Sequence, residues 1–193
     1  MASNLGFERV SMRGMAAFAG GAAAAVLFSR VLPPVMAKMA GMARAAVGRD
    51  PFDALVQDHR AILSLLNSLE RTSRQARMHR LQLLLLLKRR LSAHALAEED
   101  VIYPMLHELA NEVNETRQLY SEHAEMKIHL HMLEQMPKDH PGWIGHVREL
   151  RNLIQDHIEK EEESDFPKLR QVLNSRSMMQ LYGNMQREKA LLL

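Results

Sequence analysis

The sequence predicts an all-α protein, an antiparallel up-down four-helix bundle with an additional apolar N-terminal helical segment. Three observations predict it. Hydrophobic residues make up 47% of the 193-residue chain, enough to build a core and to exclude disorder throughout. Nine Gly and seven Pro among many Leu, Ala, Met, Glu, Arg and Gln favour helix over sheet. Apolar residues recur at helical spacing in four long segments with short connections, and nothing alternates with the period of a strand.

Taken in order, the chain divides into a basic apolar segment (1–49), a bundle (50–172) and a C-terminal helical tail (173–193). Residues 1–48 carry Arg9, Arg13, Arg30, Lys38 and Arg44 against Glu8 alone, a net of +4. With +2 for the whole chain, the remainder carries −2, and that shift in charge marks a boundary. The uncharged stretch GMAAFAGGAAAAVLFS, Gly14 to Ser29, spans roughly 24 Å as a helix, short of the ~30 Å hydrocarbon core of a bilayer. With Arg30 snorkelling and Val31 and Leu32 added it approaches that length before Pro33-Pro34 ends it. A membrane span, an interfacial or soluble helix, and a cleaved targeting segment all remain open readings of residues 14–32. Arg30, Lys38, Arg44 and Arg49 after the run outnumber Arg9 and Arg13 before it. A spanning segment would therefore leave residue 50 onward in the cytoplasm, so the expected location is cytoplasmic or the cytoplasmic face of a membrane.

Asp50-Pro51 supplies an N-cap and a proline at the first helical position. A first helix follows to about Arg71, with Leu55, Val56, Ile62, Leu63, Leu66 and Leu69 as its apolar stripe. A second is expected over about 73–110, with Leu81, Leu83 to Leu87 and Leu91 feeding the core and a bend at Tyr103-Pro104. A third covers about 114–135 and stops at Met136-Pro137; PKDHPG is a loop. The fourth runs over about 143–173 with a break near Pro167, and MMQLYGNMQREKALLL forms a last short helix that docks or frays. The absence of Cys excludes disulfides, thiolate catalysis and thiolate metal sites, and leaves the compartment open.

A sparse pattern then appears twice. HALAEEDVIYP from His94 and HIEKEEESDFP from His157 share His, Glu four later, Glu five later, an aromatic nine later and Pro ten later. Of the ten histidines, only these two have Glu at the fourth following position. The repeat extends upstream: DHRAILSLL and EHAEMKIHL each set a carboxylate before a histidine, His59 and His123, at near-equal distances from the motif that follows. The chain is thus two similar helical hairpins, each with one lone His and one H-x-x-x-E pair. Positions four apart share a helix face, so each pair presents an imidazole and a carboxylate to one point. With the hairpins folded together, His59, His94, Glu98, His123, His157 and Glu161 converge. Four imidazoles and two carboxylates suit a pair of divalent, redox-active ions such as iron or manganese, with zinc also compatible. His79, His107, His129, His131, His140 and His146 have no counterpart in the other hairpin and read as surface or outer groups. Glu99 and Glu162 read either as acceptors for a ligand N–H or as solvated charges.

These motifs resemble the hemerythrin-like family, the HHE cation-binding domains, over roughly residues 50–172. The resemblance implies a non-haem di-iron site in a four-helix bundle, used for oxygen binding, for oxygen or redox sensing, or for iron handling. Its ligand positions fall on His59, His94, Glu98, His123, His157 and Glu161. Invertebrate oxygen carriers of the family have a second His four residues after the third-helix His, where this chain has Lys127. They also have Asp five after the last His, where Glu162 stands here and Glu161 precedes it. The resemblance therefore implies fewer nitrogen ligands at one metal, or completion by water, Glu122 or Glu125.

Two functions follow as expectations: a di-iron protein sensing or handling oxygen, peroxide, nitric oxide or iron, and an oxidase or peroxidase-like enzyme using the same site. The expected partner is a small diatomic ligand or peroxide. Arg71, Arg74, Arg77, Arg80, Lys88, Arg89 and Arg90 are punctuated by Leu at helical spacing, which fits a solvated helix face, so no nucleic-acid partner is expected.

Overall fold

The structure, a computed structural model, describes residues 49–192, and every described element is helical. The apolar run at 14–32 lies outside the described residues. Among those described, no helix is long and apolar enough to cross a membrane.

Helix α1 (Pro51–Glu70) starts where predicted. The Asp50 carboxylate accepts from the Phe52 and Asp53 backbone N–H groups, and Pro51 occupies the first helical position. Helix α2 (Arg77–Ala97) passes into a π-helical turn, Glu98–Ile102, and then into α3 (Tyr103–Leu109). Helices α4 (Val113–Gln135) and α5 (Trp143–Lys160) follow. A second π-helical turn, Glu161–Asp165, leads into α6 (Phe166–Val172), and α7 (Ser175–Lys189) closes the described chain. The bends expected at Tyr103-Pro104 and Pro167 are thus not breaks but widened turns.

Helix α1 packs beside α2 and α5, and α4 beside α5 and α2, so the four long segments enclose one interior. Two apolar layers fill it. One contains Ile62, Leu66, Leu84, Leu87, Leu91, Met126, Leu130, Trp143, Leu150 and Ile154; the other contains Phe52, Leu55, Ala97, Val101, Leu106, Leu119, Phe166 and Leu169. Leu84, Leu87 and Leu91 face inward as expected, while Leu85 and Leu86 are about half exposed. A helix can turn only about three residues in seven toward a core, so a run of five leucines cannot all be buried.

Arg80 departs from the solvated-face reading of the basic run. It is buried, donates to Thr72 Oγ1, the Thr72 carbonyl and the Lys138 carbonyl, and its guanidinium lies 4.9 Å from the Trp143 ring centroid. It ties the α1–α2 loop to the α4–α5 loop, while the neighbouring Arg77, Lys88, Arg89 and Arg90 stay exposed. Helix α7 docks. Leu181, Tyr182 and Met185 are buried, and the helix lies along α2, the first π turn and α1.

Candidate metal centre

Between the two apolar layers lies one polar layer. Along α1 the buried positions run Leu55, His59, Ile62; along α2 and its π turn, Leu91, His94, Glu98, Val101; along α4, Leu119, His123, Met126; along α5 and its π turn, Ile154, His157, Glu161, Phe166. Each histidine occupies an ordinary core position of its helix, so the period that builds the core also aims the ligands inward. All six predicted residues come together, and each is at most 3% exposed.

The π turns explain the rest of the repeated pattern. Pro104 and Pro167 have no N–H to continue the ladder, and the residue before each donates five back: Tyr103 N–H to the Glu98 carbonyl, Phe166 N–H to the Glu161 carbonyl. On a regular α-helix, a residue five positions on lies about 140° around the axis. The wider i→i+5 turn sets it nearly above its starting residue instead. Tyr103 and Phe166 therefore return to the interior face that Glu98 and Glu161 occupy.

Both carboxylates stand between the hairpins. Glu98 Oε1 lies 3.0 Å from His94 Nε2 and 3.8 Å from His59 Nε2, while its Oε2 lies 3.5 Å from His123 Nε2. Glu161 Oε2 lies 3.3 Å from His59 Nε2 and its Oε1 3.4 Å from His157 Nε2. Two donor groups result, each with ligand atoms mutually within 4.8 Å: His59, His94, Glu98 and Glu161; and Glu98, His123 and His157. Glu98 belongs to both.

The residues fit a pair of cations. Both Glu98 oxygens, Glu161 Oε2 and His59 Nε2 are buried without a hydrogen-bond partner. Unpaired carboxylate oxygens are costly in a core, and a divalent ion satisfies several at once. Without a metal, protons carry the compensating charge. Burial alone would lower the His59 pKa, but Glu161 and Glu98 outweigh it and raise it to about 10. His157 is likewise raised to about 10, burial being outweighed by Glu161 and Glu122. Glu98 and Glu161 are lowered despite their burial, because of the imidazoles they face. Those imidazole protons must leave for the ring nitrogens to ligate.

An outer ring of carboxylates faces the other nitrogen of each histidine, and three of the four form hydrogen bonds to it. His59 Nδ1 meets Glu162 Oε1 at 2.7 Å, His123 Nδ1 meets Glu99 Oε1 at 2.9 Å, and His157 Nδ1 meets Glu122 Oε2 at 2.7 Å. Asp58 Oδ2 faces His94 Nδ1 at 3.8 Å, an electrostatic contact beyond hydrogen-bond range. Such partners orient a ligating imidazole and raise its basicity. The bonds from His123 and Lys127 lower the Glu99 pKa to about 2, against the effect of its burial. Burial raises Glu122, but His157 and Lys160 bring it to about 2.

Glu99 and Glu162, each open to two readings from sequence, both serve the lone histidine of the opposite hairpin. Glu122, weighed as a metal-completing group, instead binds the outer nitrogen of His157 while its other oxygen takes Lys160 Nζ at 2.5 Å. Glu125 is exposed. Tyr103, outside the six candidate ligands, also reaches the centre. Its hydroxyl lies 2.9 Å from His123 Nε2, 3.4 Å from His157 Nε2, and donates to Glu161 Oε1 at 2.9 Å. The signals for these contacts were the aromatic nine residues after each motif His and the carboxylate before each lone His. Of the other histidines, His79, His107, His131 and His140 are exposed and His129 and His146 half-buried, all away from the two donor groups. An open groove of about 510 Å³ between α4 and α5, lined by Glu122, Glu125, Asp156 and Lys160 among others, reaches His157.

Residues 50–169 match the family described as the hemerythrin HHE cation-binding domain. A solved structure, the Rv2633c homologue from Mycobacterium kansasii described as a hemerythrin HHE cation-binding domain-containing protein, superposes with a TM-score of 0.63 at 21% identity. The match covers 71% of this chain and 83% of that one, and shows likeness of fold. A curated relative from Nostoc sp. strain PCC 7120, named a DNA nickase, is 36% identical over 85 residues. That match takes in 44% of this chain and only 24% of the relative's length.

Proposed function

Since this chain belongs to the hemerythrin HHE cation-binding family, we propose that its polar layer binds two non-haem iron ions and uses them to sense or handle oxygen, peroxide, nitric oxide or iron. In this reading the four long segments run alternately up and down, residues 50–172 are the metal module, and the chain works in the cytoplasm or at the cytoplasmic face of a membrane. The observation that carries it is the pair of buried carboxylates, each offering one oxygen to the His59 side and the other to the His123–His157 side.

His59 and His94 would hold one ion, His123 and His157 the other, with Glu98 and Glu161 shared. When bound, the ions supply reversible one-electron chemistry and coordination positions for a small ligand. The protein's residues do the remainder. The outer carboxylates fix the imidazole tautomers, the apolar layers exclude bulk water, and an open groove between α4 and α5 reaches His157. Tyr103 sets an O–H donor between His123, His157 and Glu161, where a proton can be delivered to a ligand on that side. Lys127 is not a ligand in this arrangement. Its ammonium bonds Glu99 at 2.6 Å and is well exposed.

Tyr103 is also the observation that favours the second reading, an oxidase or peroxidase-like enzyme, because a phenol beside a metal pair is both proton donor and oxidisable group. The deciding measurement is metal content after aerobic expression in iron-replete cells, with two iron atoms per chain expected. Iron, manganese and zinc all at background would refute the proposal. A chain beginning at Asp50 is expected to carry the same metal, since no described ligand precedes His59. Anaerobic reduction followed by oxygen titration then separates the readings. We expect irreversible oxidation with a visible di-iron absorption band, whereas an oxygenated spectrum that vanishes each time oxygen is removed would restore the carrier reading.

A further inference from the structure

Three of the four outer carboxylates are themselves paired with a lysine. Lys127 bonds Glu99 at 2.6 Å and Lys160 bonds Glu122 at 2.5 Å, so His123 and His157 each end a lysine–carboxylate–imidazole chain supplied within α4, α5 and the first π turn. The third chain is built differently. Lys189 Nζ forms an ion pair with Asp58 Oδ2, the oxygen that faces His94 Nδ1. Lys189 is the last residue of α7, beyond the 50–169 span that matches the family. No lysine or arginine pairs with Glu162 among the described residues.

Several features place Lys189 there. Leu181, Tyr182 and Met185 precede it on one face of α7 and are buried against α2, the first π turn and α1, which delivers position 189 to the Asp58 side chain. The side chain is 8% exposed, an uncommon place for a lysine, and it costs stability unless its charge is matched. Beyond the helix, Arg89 donates to the Leu192 carbonyl and ties the chain end to α2. The result falls on the one histidine whose outer nitrogen lacks a hydrogen bond, His94. Arg90 approaches the other Asp58 oxygen only to 4.0 Å, so Lys189 is the principal cation acting on this carboxylate.

We propose that α7 is a functional part of the metal centre, with Lys189 a positioning residue that fixes Asp58 and through it the ring of His94. This rests on the metal-binding reading. The charge of Lys189 holds the Asp58 carboxylate facing the outer nitrogen of His94. The placement of the His94 ring, and hence the affinity of the ion it would hold, is set from a helix outside the bundle.

The test uses the full chain, with ferrous iron under anaerobic conditions as the probe. Lys189→Met is expected to weaken one of the two ions by roughly 10- to 100-fold in a chelator competition, as loss of an outer-shell partner does. The second ion should keep its affinity, and Lys189→Arg should restore the first. In metal-free protein, Lys189→Met should shift the ring-nitrogen NMR signals of His94 and leave those of His123 and His157 in place. If Lys189→Met does not fold, Lys189→Gln takes its place in both measurements. Wild-type binding of both ions with unmoved His94 signals would overturn the proposal and reduce α7 to packing. Equal weakening of both ions, or failure of arginine to rescue, would overturn it also. Should the wild-type chain bind no iron, the metal-binding reading fails, and the ring-nitrogen spectra still report whether Lys189 sets His94.

Discussion

The His59–His94 side and the His123–His157 side of the centre come from the same repeated pattern, yet they are chemically unequal. At the aromatic position of the second motif, Phe166 lies nearly parallel to the His59 ring, with centroids 6.0 Å apart and planes 12° apart. At the same position of the first, Tyr103 brings a hydroxyl to 2.9 Å from His123. The π turn delivers both rings to the interior, and one oxygen atom separates their roles. The outer shells differ as well. His123 and His157 are held by carboxylates whose lysines lie on α4 and α5, His94 by one whose lysine arrives from α7, and His59 by Glu162. A duplicated scaffold thus repeats the placement of histidine and glutamate while each half acquires its own surroundings.

The largest expected effects erase both sides together. Glu98→Ala or Glu161→Ala should lower metal content to near background, measured by elemental analysis, because each carboxylate serves both halves. His107→Ala, an exposed histidine outside the layer, should leave it unchanged. Equal losses from His107→Ala and His94→Ala would dissolve the comparison. Next come the outer carboxylates. Glu122→Ala should weaken the ion on the His157 side by about 10- to 100-fold, and Glu162→Ala the ion on the His59 side by a similar factor, each sparing its neighbour. Chelator titrations resolving two binding steps check this.

A subtler change makes the halves alike. Tyr103→Phe should retain two metals and near-native thermal stability but alter the visible spectrum and slow the reaction with peroxide, by about 100- to 10,000-fold if Tyr103 supplies the proton. Phe166→Tyr probes the reverse. Smallest is the proton count. Loading metal at neutral pH should release protons into a weakly buffered solution, because His59 and His157, both raised to about 10, are protonated beforehand. The sign for stability runs the other way. Their contribution to the metal-free fold is complete below about 6.5, the ordinary histidine value, and is lost as pH rises toward 10. Metal affinity should therefore climb with pH over the range in which the metal-free fold weakens.

The sequence by itself determined the helical class, the six candidate ligands and their register. The reason is that these depend on spacing: a 3.6-residue period fixes which positions share a face, and His94 with Glu98, or His157 with Glu161, meet on any helix that forms. The N-cap at Asp50 was legible for the same local reason. Only the tertiary structure decided what surrounds the ligands. Leu85 and Leu86 read as core like their neighbours, but packing turned them outward. Tyr103 reached the centre because a proline forced a wider turn. Glu99, Glu122 and Asp58 found their histidines across helix pairs, and Lys189 found Asp58 across 131 residues of chain. Contacts of that separation are set by how whole helices pack, which no local period records.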